Sequence, residues 1–318
     1  MPKIGVIQDA PVLLDREGTV AKAVELTRRA AGEGAQLVIL PESFIAGYPT
    51  WIWRLRPGTD MKVSGELHER LVASAVDLET GDLDPLRDAA RELGVAIVCG
   101  INEREGRFSR TTLYNTVITI GAGGEILNRH RKMVPTNPER MVWGMGNASG
   151  LRVVDTPCGR LGGLICWENY MPLARYTLYA EGVELYVAPT WDSGEGWIGA
   201  MRHIAREGRC WVVGCGTALR AVQIPDDFPE RQRLYPDPEE WVNAGDSVVV
   251  EPGGRLAAGP LHEEAGVLVV DIDPARVAAA RRTLDVAGHY ARPDIFDLRV
   301  SRRSLPPLVA EDGELPDS

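Results

Sequence analysis

Three reactive side chains stand where apolar, strand-like runs end: Glu42 after LVIL-Pro, Lys132 at the close of RHRK, and Cys166 at the end of LGGLIC. Together a thiol, a carboxylate and an ammonium can run nucleophilic catalysis. The sulfur attacks, the carboxylate takes its proton, and the ammonium stabilises negative charge as it develops. Open α/β sheets place working groups at strand ends, because the loops there converge on a crevice. Each residue alone has a plainer reading. A cysteine after Leu-Ile is commonly a small buried hydrophobe, a lysine in RHRK a solvated charge, and a glutamate after proline a turn cap or an arginine's partner.

The surroundings of Cys166 favour chemistry. Gly162 and Gly163 allow close backbone approach, and Cys166-Trp167-Glu168-Asn169 breaks the apolar run just before a helix that opens at Pro172. A strand-to-turn-to-helix step exposes the turn residue and aims backbone N–H groups at it. That setting is expected to lower a thiol from its ordinary value of about 8.5. A neighbouring lysine would lower it further. His130, two residues before Lys132 and on the same strand face, offers a rival Cys–His dyad. Nothing else in the sequence supplies an orienting partner for His130. His203 reads as packed or exposed, and His289 as part of a structural or interface segment. Five of the eight tryptophans, Trp51, Trp53, Trp143, Trp167 and Trp191, fall in the loops around these motifs, where loop packing or an aromatic pocket wall would both use them.

The elements that must position these groups alternate along the chain. Strands are predicted at 3–8, 37–40 and 95–101, hairpins at 112–120/126–132 and 152–157/160–166, and further strands at 183–189, 210–216, 246–252 and 266–273. Helices are predicted at about 19–31 (capped by Thr19, stopped by Gly32 and Gly34), from Asp84 as N-cap to Leu93 with Gly94 as stop, at 172–181 before Gly182, at 197–207 before Gly208, and at 274–282. A polar, Pro-rich excursion spans 220–243. This interleaving, with no linker, repeat or low-complexity block, argues for one α/β domain with two apolar, mixed sheets covered by helices. The domain is expected over 1–282, with 283–318 an assembly arm or a flexible tail.

Composition excludes several classes. The chain has 318 residues, 44% hydrophobic and 25% charged, close to soluble globular averages. Its net charge is 35 − 45 = −10, the wrong sign for tracking phosphates, so no nucleic-acid partner is expected. No apolar run suits a membrane span. The first residues, MPKIGVIQD, break their apolar run at Gln8 and Asp9, which argues against a signal peptide. Five cysteines, none in a CxxC pair, point to reduced thiols in a cytoplasm and to no structural zinc.

On these residues the chain resembles the nitrilase superfamily of carbon–nitrogen hydrolases from Lys3 to about Leu298. LVILPESFIAGYP carries the family's glutamate at Glu42, RHRKMVPT its lysine at Lys132, and GLICWENYMPLAR its nucleophile at Cys166. A second glutamate falls on Glu139 in PTNPERMVWG. CWENYMPLAR, the WIW at 51–53 and DVAGHYARPDIF at 285–296 resemble the nitrile-hydrolysing branch.

The resemblance implies a four-layer α-β-β-α sandwich that pairs into homodimers or larger homo-oligomers. It implies no metal or organic cofactor, and a small-molecule nitrile as substrate. The tail after Phe296 is short for this branch, which speaks against long filaments. Cys166 would attack the nitrile carbon with Glu42 moving the proton. Lys132 and the Trp167 backbone N–H would stabilise charge, and Glu139 would hold Lys132 and substrate in register. The plainer reading of Glu139 is a helix-start carboxylate beside Arg140. Substrate contacts are implied for Tyr48, Thr136, Trp143, Trp167 and Trp191. Two other readings stand beside this one: an amidase or carbamoylase using the same residues, and a catalytically silent binding or scaffold protein.

Overall fold

The computed structural model describes residues 1–306. Its elements in chain order are β1 (Lys3–Gln8), α1 (Arg16–Gly32), β2 (Leu37–Ile39), α2 (Met61–Ser74), α3 (Asp84–Leu93), β3 (Ala96–Arg104), β4 (Leu113–Ile120) and β5 (Ile126–Arg131). There follow β6 (Val154–Thr156), β7 (Gly159–Gly163), α4 (Pro172–Ala180), β8 (Leu185–Thr190), α5 (Glu195–Gly208), β9 (Trp211–Gly216), β10 (Ala218–Arg220) and α6 (Arg231–Leu234). The last are β11 (Trp241–Val250), β12 (Leu256–His262), β13 (Gly266–Asp271) and α7 (Ala275–Arg281).

The strands form two mixed sheets. One runs β13-β1-β2-β3-β4-β5, the other β10-β11-β9-β8-β7-β6 with β12 paired to β11. The parallel steps lie at the centres, β1-β2-β3 and β7-β8-β9, and antiparallel strands flank them. Central strands such as LVI and LYVAPT are apolar on both faces because both faces are covered. Ile4, Val6, Leu37 and Ile39 of the first sheet meet Leu161, Leu185, Val187 and Val213 of the second, so the sheets pack face to face. Outside the first sheet, α1 and α3 bury Val20, Ala23, Leu86 and Ala90. Outside the second, α4 and α5 bury Leu178, Trp197, Met201 and Ile204. The order is α-β-β-α, the architecture expected.

Several boundaries differ from the sequence expectation, each for a local reason. Helix α1 starts at Arg16, capped by Asp15, whose Oδ1 accepts the Gly18 N–H at 2.9 Å. Thr19 lies one turn inside, its hydroxyl 2.7 Å from the Asp15 carbonyl. Asp84 is the first residue of α3 rather than its cap and pairs with Arg87 at 2.9 Å. Helix α5 stops at Arg209, which takes the left-handed conformation (φ 49°) in place of Gly208. Gly208 is needed for another reason: a Cβ there would stand 2.3 Å from the Tyr179 ring.

Helix α2 has no counterpart in the sequence expectation. It buries only Leu67 and Leu71, too narrow a stripe to register as helical periodicity. Strand β12 was hidden by Gly259-Pro260, a pair that reads as a strand breaker. The excursion at 220–243 begins on the last residue of β10, contains α6 and the start of β11, and is anchored. Arg54 binds Glu240 at 2.5 Å and the Leu234 carbonyl at 2.6 Å, which ties the excursion to the loop after Trp53. Residues 282–306 form no strand or helix. Arg302 fastens them by reaching the Leu151 carbonyl at 3.1 Å and pairing with Glu181. The rest of the expected arm, 307–318, lies outside the described residues.

Candidate active site

Glu42 leaves the end of β2 through Leu40-Pro41 and is buried. Its loop presses on β3 so closely that a Cβ on Gly100 would sit 2.2 Å from the Pro41 carbonyl and 2.4 Å from the Ser43 nitrogen. Asn102 secures the same loop: its Nδ2 donates to the carbonyls of Ile45 (3.1 Å) and Gly47 (2.8 Å). Lys132 follows β5, its backbone N–H on the Asn115 carbonyl at 2.7 Å. Glu139 sits in a one-turn helix, 137–141, capped by Thr136, whose N–H donates to Glu139 Oε2 at 2.7 Å.

Cys166 opens a second short turn, Cys166–Tyr170, in the left-handed conformation (φ 50°). Few side chains tolerate it, and such residues persist where surrounding contacts enforce them. Asn169 is one such contact: its Nδ2 donates to the Cys166 carbonyl at 2.7 Å and the Leu164 carbonyl at 3.1 Å. Gly163 just before the turn has the close approach expected of it, since a Cβ there would lie 2.1 Å from the Val187 carbonyl. Gly162 is less tight: its nearest neighbour, a Val153 methyl, would be 3.1 Å away.

These loops bring the four polar residues together. Lys132 Nζ donates to Glu42 Oε1 at 2.9 Å and to Glu139 Oε2 at 2.8 Å. Asn115 Nδ2 adds a 2.6 Å bond to Glu42 Oε1, and the Trp191 N–H a 2.6 Å bond to Glu42 Oε2. The array holds two carboxylates and one ammonium, all out of water. Burial raises Glu42 above the ordinary carboxylate value, with Lys132 pulling the other way. Burial alone would lower Lys132, but Glu42, Cys166 and Glu139 outweigh it and raise the ammonium further, so Lys132 stays charged.

The thiol departs from expectation. Burial, with Glu42 adding to it, pushes Cys166 up to about 12 in spite of Lys132, where the turn geometry had suggested a lowered value. The residue is only 5% exposed, so loss of hydration outweighs the turn and the lysine. The Thr190 side chain pulls the thiol slightly the other way. His130 does have an orienting partner, which the sequence left open: its Nε2 lies 2.9 Å from Glu168 Oε2.

Cys166 and Glu139 open onto a pocket of about 250 Å³ lined by Tyr48, Trp53, Thr136, Trp167, Trp191 and Asp192. Tyr48 stacks on Trp191 at 4.4 Å with planes 3° apart, and its hydroxyl donates to Glu139 Oε1 at 2.7 Å. Of the five expected pocket residues, Tyr48, Thr136, Trp167 and Trp191 are on the wall. Trp143 is not. It lies behind Tyr48, edge-on at 5.5 Å, with its indole N–H spent on Asn102 Oδ1 at 3.0 Å. A larger groove of about 840 Å³ runs past Glu105, Arg129, Arg131 and Arg303 but contains none of the four reactive residues.

Sequence reasoning missed Asn115 and Asp192, and left Trp53 between loop packing and the pocket wall, where the structure places it on the wall. Asn115 had a signal, an amide within the apolar strand LYNTVITI. Trp53 adjoins the motif and is half-exposed. Asp192 receives the Trp167 indole N–H at 3.0 Å. Among the described residues no His, Cys, Asp and Glu cluster could hold a metal ion, and no helix is long and apolar enough to cross a membrane.

A thiol, an ammonium and two carboxylates gathered on an α-β-β-α sandwich suit a hydrolase, and the family model for carbon–nitrogen hydrolases matches residues 3–282. The chain belongs to that family. It is 38% identical to an aliphatic nitrilase of Sinorhizobium fredii, over 96% of this chain and 98% of that one. It is 39% identical to nitrilase 1 of Arabidopsis thaliana, over 94% and 86%. A bifunctional nitrilase/nitrile hydratase of Nicotiana tabacum is also 39% identical, over 95% and 87%. Among solved structures, a carbon–nitrogen hydrolase of Helicobacter pylori superposes with a TM-score of 0.68 at 19% identity, covering 92% of this chain and 96% of that one. A nitrilase-superfamily member from Saccharomyces cerevisiae gives 0.68 at 20% identity, covering 91% and 96%. These two share the fold.

Proposed function

We propose that this protein is a nitrilase that converts an organic nitrile to its carboxylic acid and ammonia. The observation that carries the reading is the buried Glu42–Lys132–Glu139 array beside the thiol of Cys166 at the floor of an aromatic pocket. Relatives that span nearly the whole chain and are named nitrilases support it.

Cys166 Sγ attacks the nitrile carbon as its proton passes through Glu42 to the nitrile nitrogen, leaving a thioimidate. Water adds to the C=N bond with Glu42 as base, giving a tetrahedral species. The C–N bond then breaks and ammonia leaves, so that a thioester remains. A second water cleaves the thioester, releasing the acid and restoring the thiol. Over the cycle two waters are consumed. Lys132, with the Trp167 backbone N–H, stabilises negative charge on the reacting atoms, and Glu139 holds Lys132 and the pocket in register. Tyr48, Thr136, Trp167 and Trp191 enclose the substrate's organic part. Trp143 supports Tyr48 from behind.

The protein works in this reading as a homo-oligomer in the cytoplasm, with residues from 283 onward as an arm on the hydrolase domain. All five cysteines are free and buried, as a reducing compartment would keep them. The test is ammonia release by wild type and Cys166→Ala on matched aryl, arylacetic and aliphatic nitriles and their amides. Nitrile turnover that vanishes in the variant is the expected result. Turnover of amides alone would make the protein an amidase. No turnover by folded wild type would favour a silent binding protein.

A further inference from the structure

Glu168 is a fully buried carboxylate that no step of this mechanism uses. It lies two residues past Cys166, yet its bonds reach both sides of the site. Oε2 accepts the Ile165 N–H at 2.9 Å, and Ile165 immediately precedes Cys166. Oε1 accepts the Met133 N–H at 2.7 Å, and Met133 immediately follows Lys132. His130 Nε2, on β5 two residues before Lys132, completes the set at 2.9 Å from Oε2. Lys132 issues from the first sheet and Cys166 from the second, so one carboxylate joins the two sheets where both reactive side chains emerge.

We propose that Glu168, held by His130, is a positioning residue that fixes the approach of Cys166 Sγ to Lys132 Nζ and enforces the left-handed turn at the nucleophile. The inference rests on the reading of Cys166 as nucleophile and Lys132 as its electrostatic partner. Only a carboxylate fits the role. Three N–H donors converge on its two oxygens, and an amide of the same shape would turn its own N–H toward one of them. His130 donates from Nε2, and its Nδ1 has no partner among the described residues. The ring therefore serves Glu168 and is not part of a proton relay to the thiol.

The test uses the full chain and compares Glu168→Gln, His130→Leu and His130→Gln with wild type and Cys166→Ala. Misplacing a reacting group by about 1 Å can cost about 10²-fold in rate. Glu168→Gln is therefore expected to lower kcat by about that factor at little-changed KM. It should also slow iodoacetamide alkylation of Cys166, followed by peptide mass spectrometry, with no substrate present. His130→Leu should show a smaller loss that His130→Gln, which restores an N–H near the Nε2 position, largely recovers. A folded Glu168→Gln with wild-type kcat and alkylation rate overturns the proposal. Should that variant fail to fold, the His130 pair decides: equal activity in His130→Leu and His130→Gln overturns it, and recovery in the latter supports it. The underlying reading fails separately, if Cys166→Ala retains turnover.

Discussion

Replacing Lys132 with methionine keeps the aliphatic stem and removes the one positive charge that lowers the Cys166 thiol. With the thiol at about 12, forming the thiolate at pH 7 takes roughly 5 × 1.36, or about 7 kcal/mol. Lys132 lowers the thiol by charge alone, so its loss makes the thiolate rarer still. Losing one donor to the developing charge adds about 3–4 kcal/mol to the barrier, a factor of about 10²–10³ in kcat. Stability changes as well. In the wild type the raised value of Lys132 means that its pairing stabilises the fold fully below 10.5, and that this stability is lost as pH rises through the higher folded value. In the variant Glu42 and Glu139 face each other without the ammonium, which costs about 3–5 kcal/mol unless one binds a proton. The variant should therefore be most stable in acid and weaken toward neutral pH. Ammonia release, alkylation of Cys166 and melting curves across a pH series measure all three effects. Alkylation at the wild-type rate together with turnover within tenfold of wild type would refute the reasoning.

Two further substitutions probe how the site is built. Gly100→Ala drives a methyl into the Pro41 carbonyl and the Ser43 nitrogen, so it should cost about 1–3 kcal/mol and lower Tm by several degrees. Because the displaced loop carries Glu42, calorimetry and turnover should fall together; a cooler melt with full activity would detach the loop from the chemistry. Asp192→Asn removes a carboxylate from the pocket wall while keeping an acceptor for the Trp167 indole. KM for nitriles bearing a carboxylate should fall relative to neutral ones of the same size, and an unchanged ratio would place the Asp192 charge outside the substrate's reach.

The sequence carried the architecture because buried parallel strands read as unbroken apolar runs and the helices between them carry capping and stop signals. It failed where tertiary packing set the rule. Helix α2 has two buried leucines, β12 crosses a Gly-Pro pair, and Gly208 answers to Tyr179 rather than to the helix end. At the site, residue type and strand-end position singled out Glu42, Lys132 and Cys166 as candidates, the family resemblance gave them roles, and the fold brings them together. Orientation was not legible: Trp143 stands in the same loop as residues that line the pocket, but its indole turns to Asn102. The thiol was misjudged because a turn can be read locally, whereas burial by both sheets cannot. The partner of His130 was two residues past the cysteine, and only the fold brings Glu168 across to it.

A thiol held at about 12 looks unsuited to a nucleophile until the substrate is considered. Attack on a nitrile places negative charge on nitrogen, and that nitrogen must gain a proton for the thioimidate to form. A standing thiolate would have already lost the proton to water. A buried thiol beside an ionised carboxylate delivers nucleophile and proton together, so the useful state is neutral sulfur with charged Glu42. Activity should then follow the protonation of Glu42, whose value burial raises above 4.5. The sign is definite: as pH falls through that raised value the base is lost, and kcat/KM falls with it. Toward alkali the profile should stay flat through neutrality, since Cys166 and Lys132 both ionise far above it. A pH series of kcat/KM on one neutral nitrile measures this directly. An acid limb at or below 4.5, or activity that climbs steadily between pH 7 and 9 as a thiolate forms, would show that sulfur reacts as a free thiolate and that Glu42 does not carry its proton.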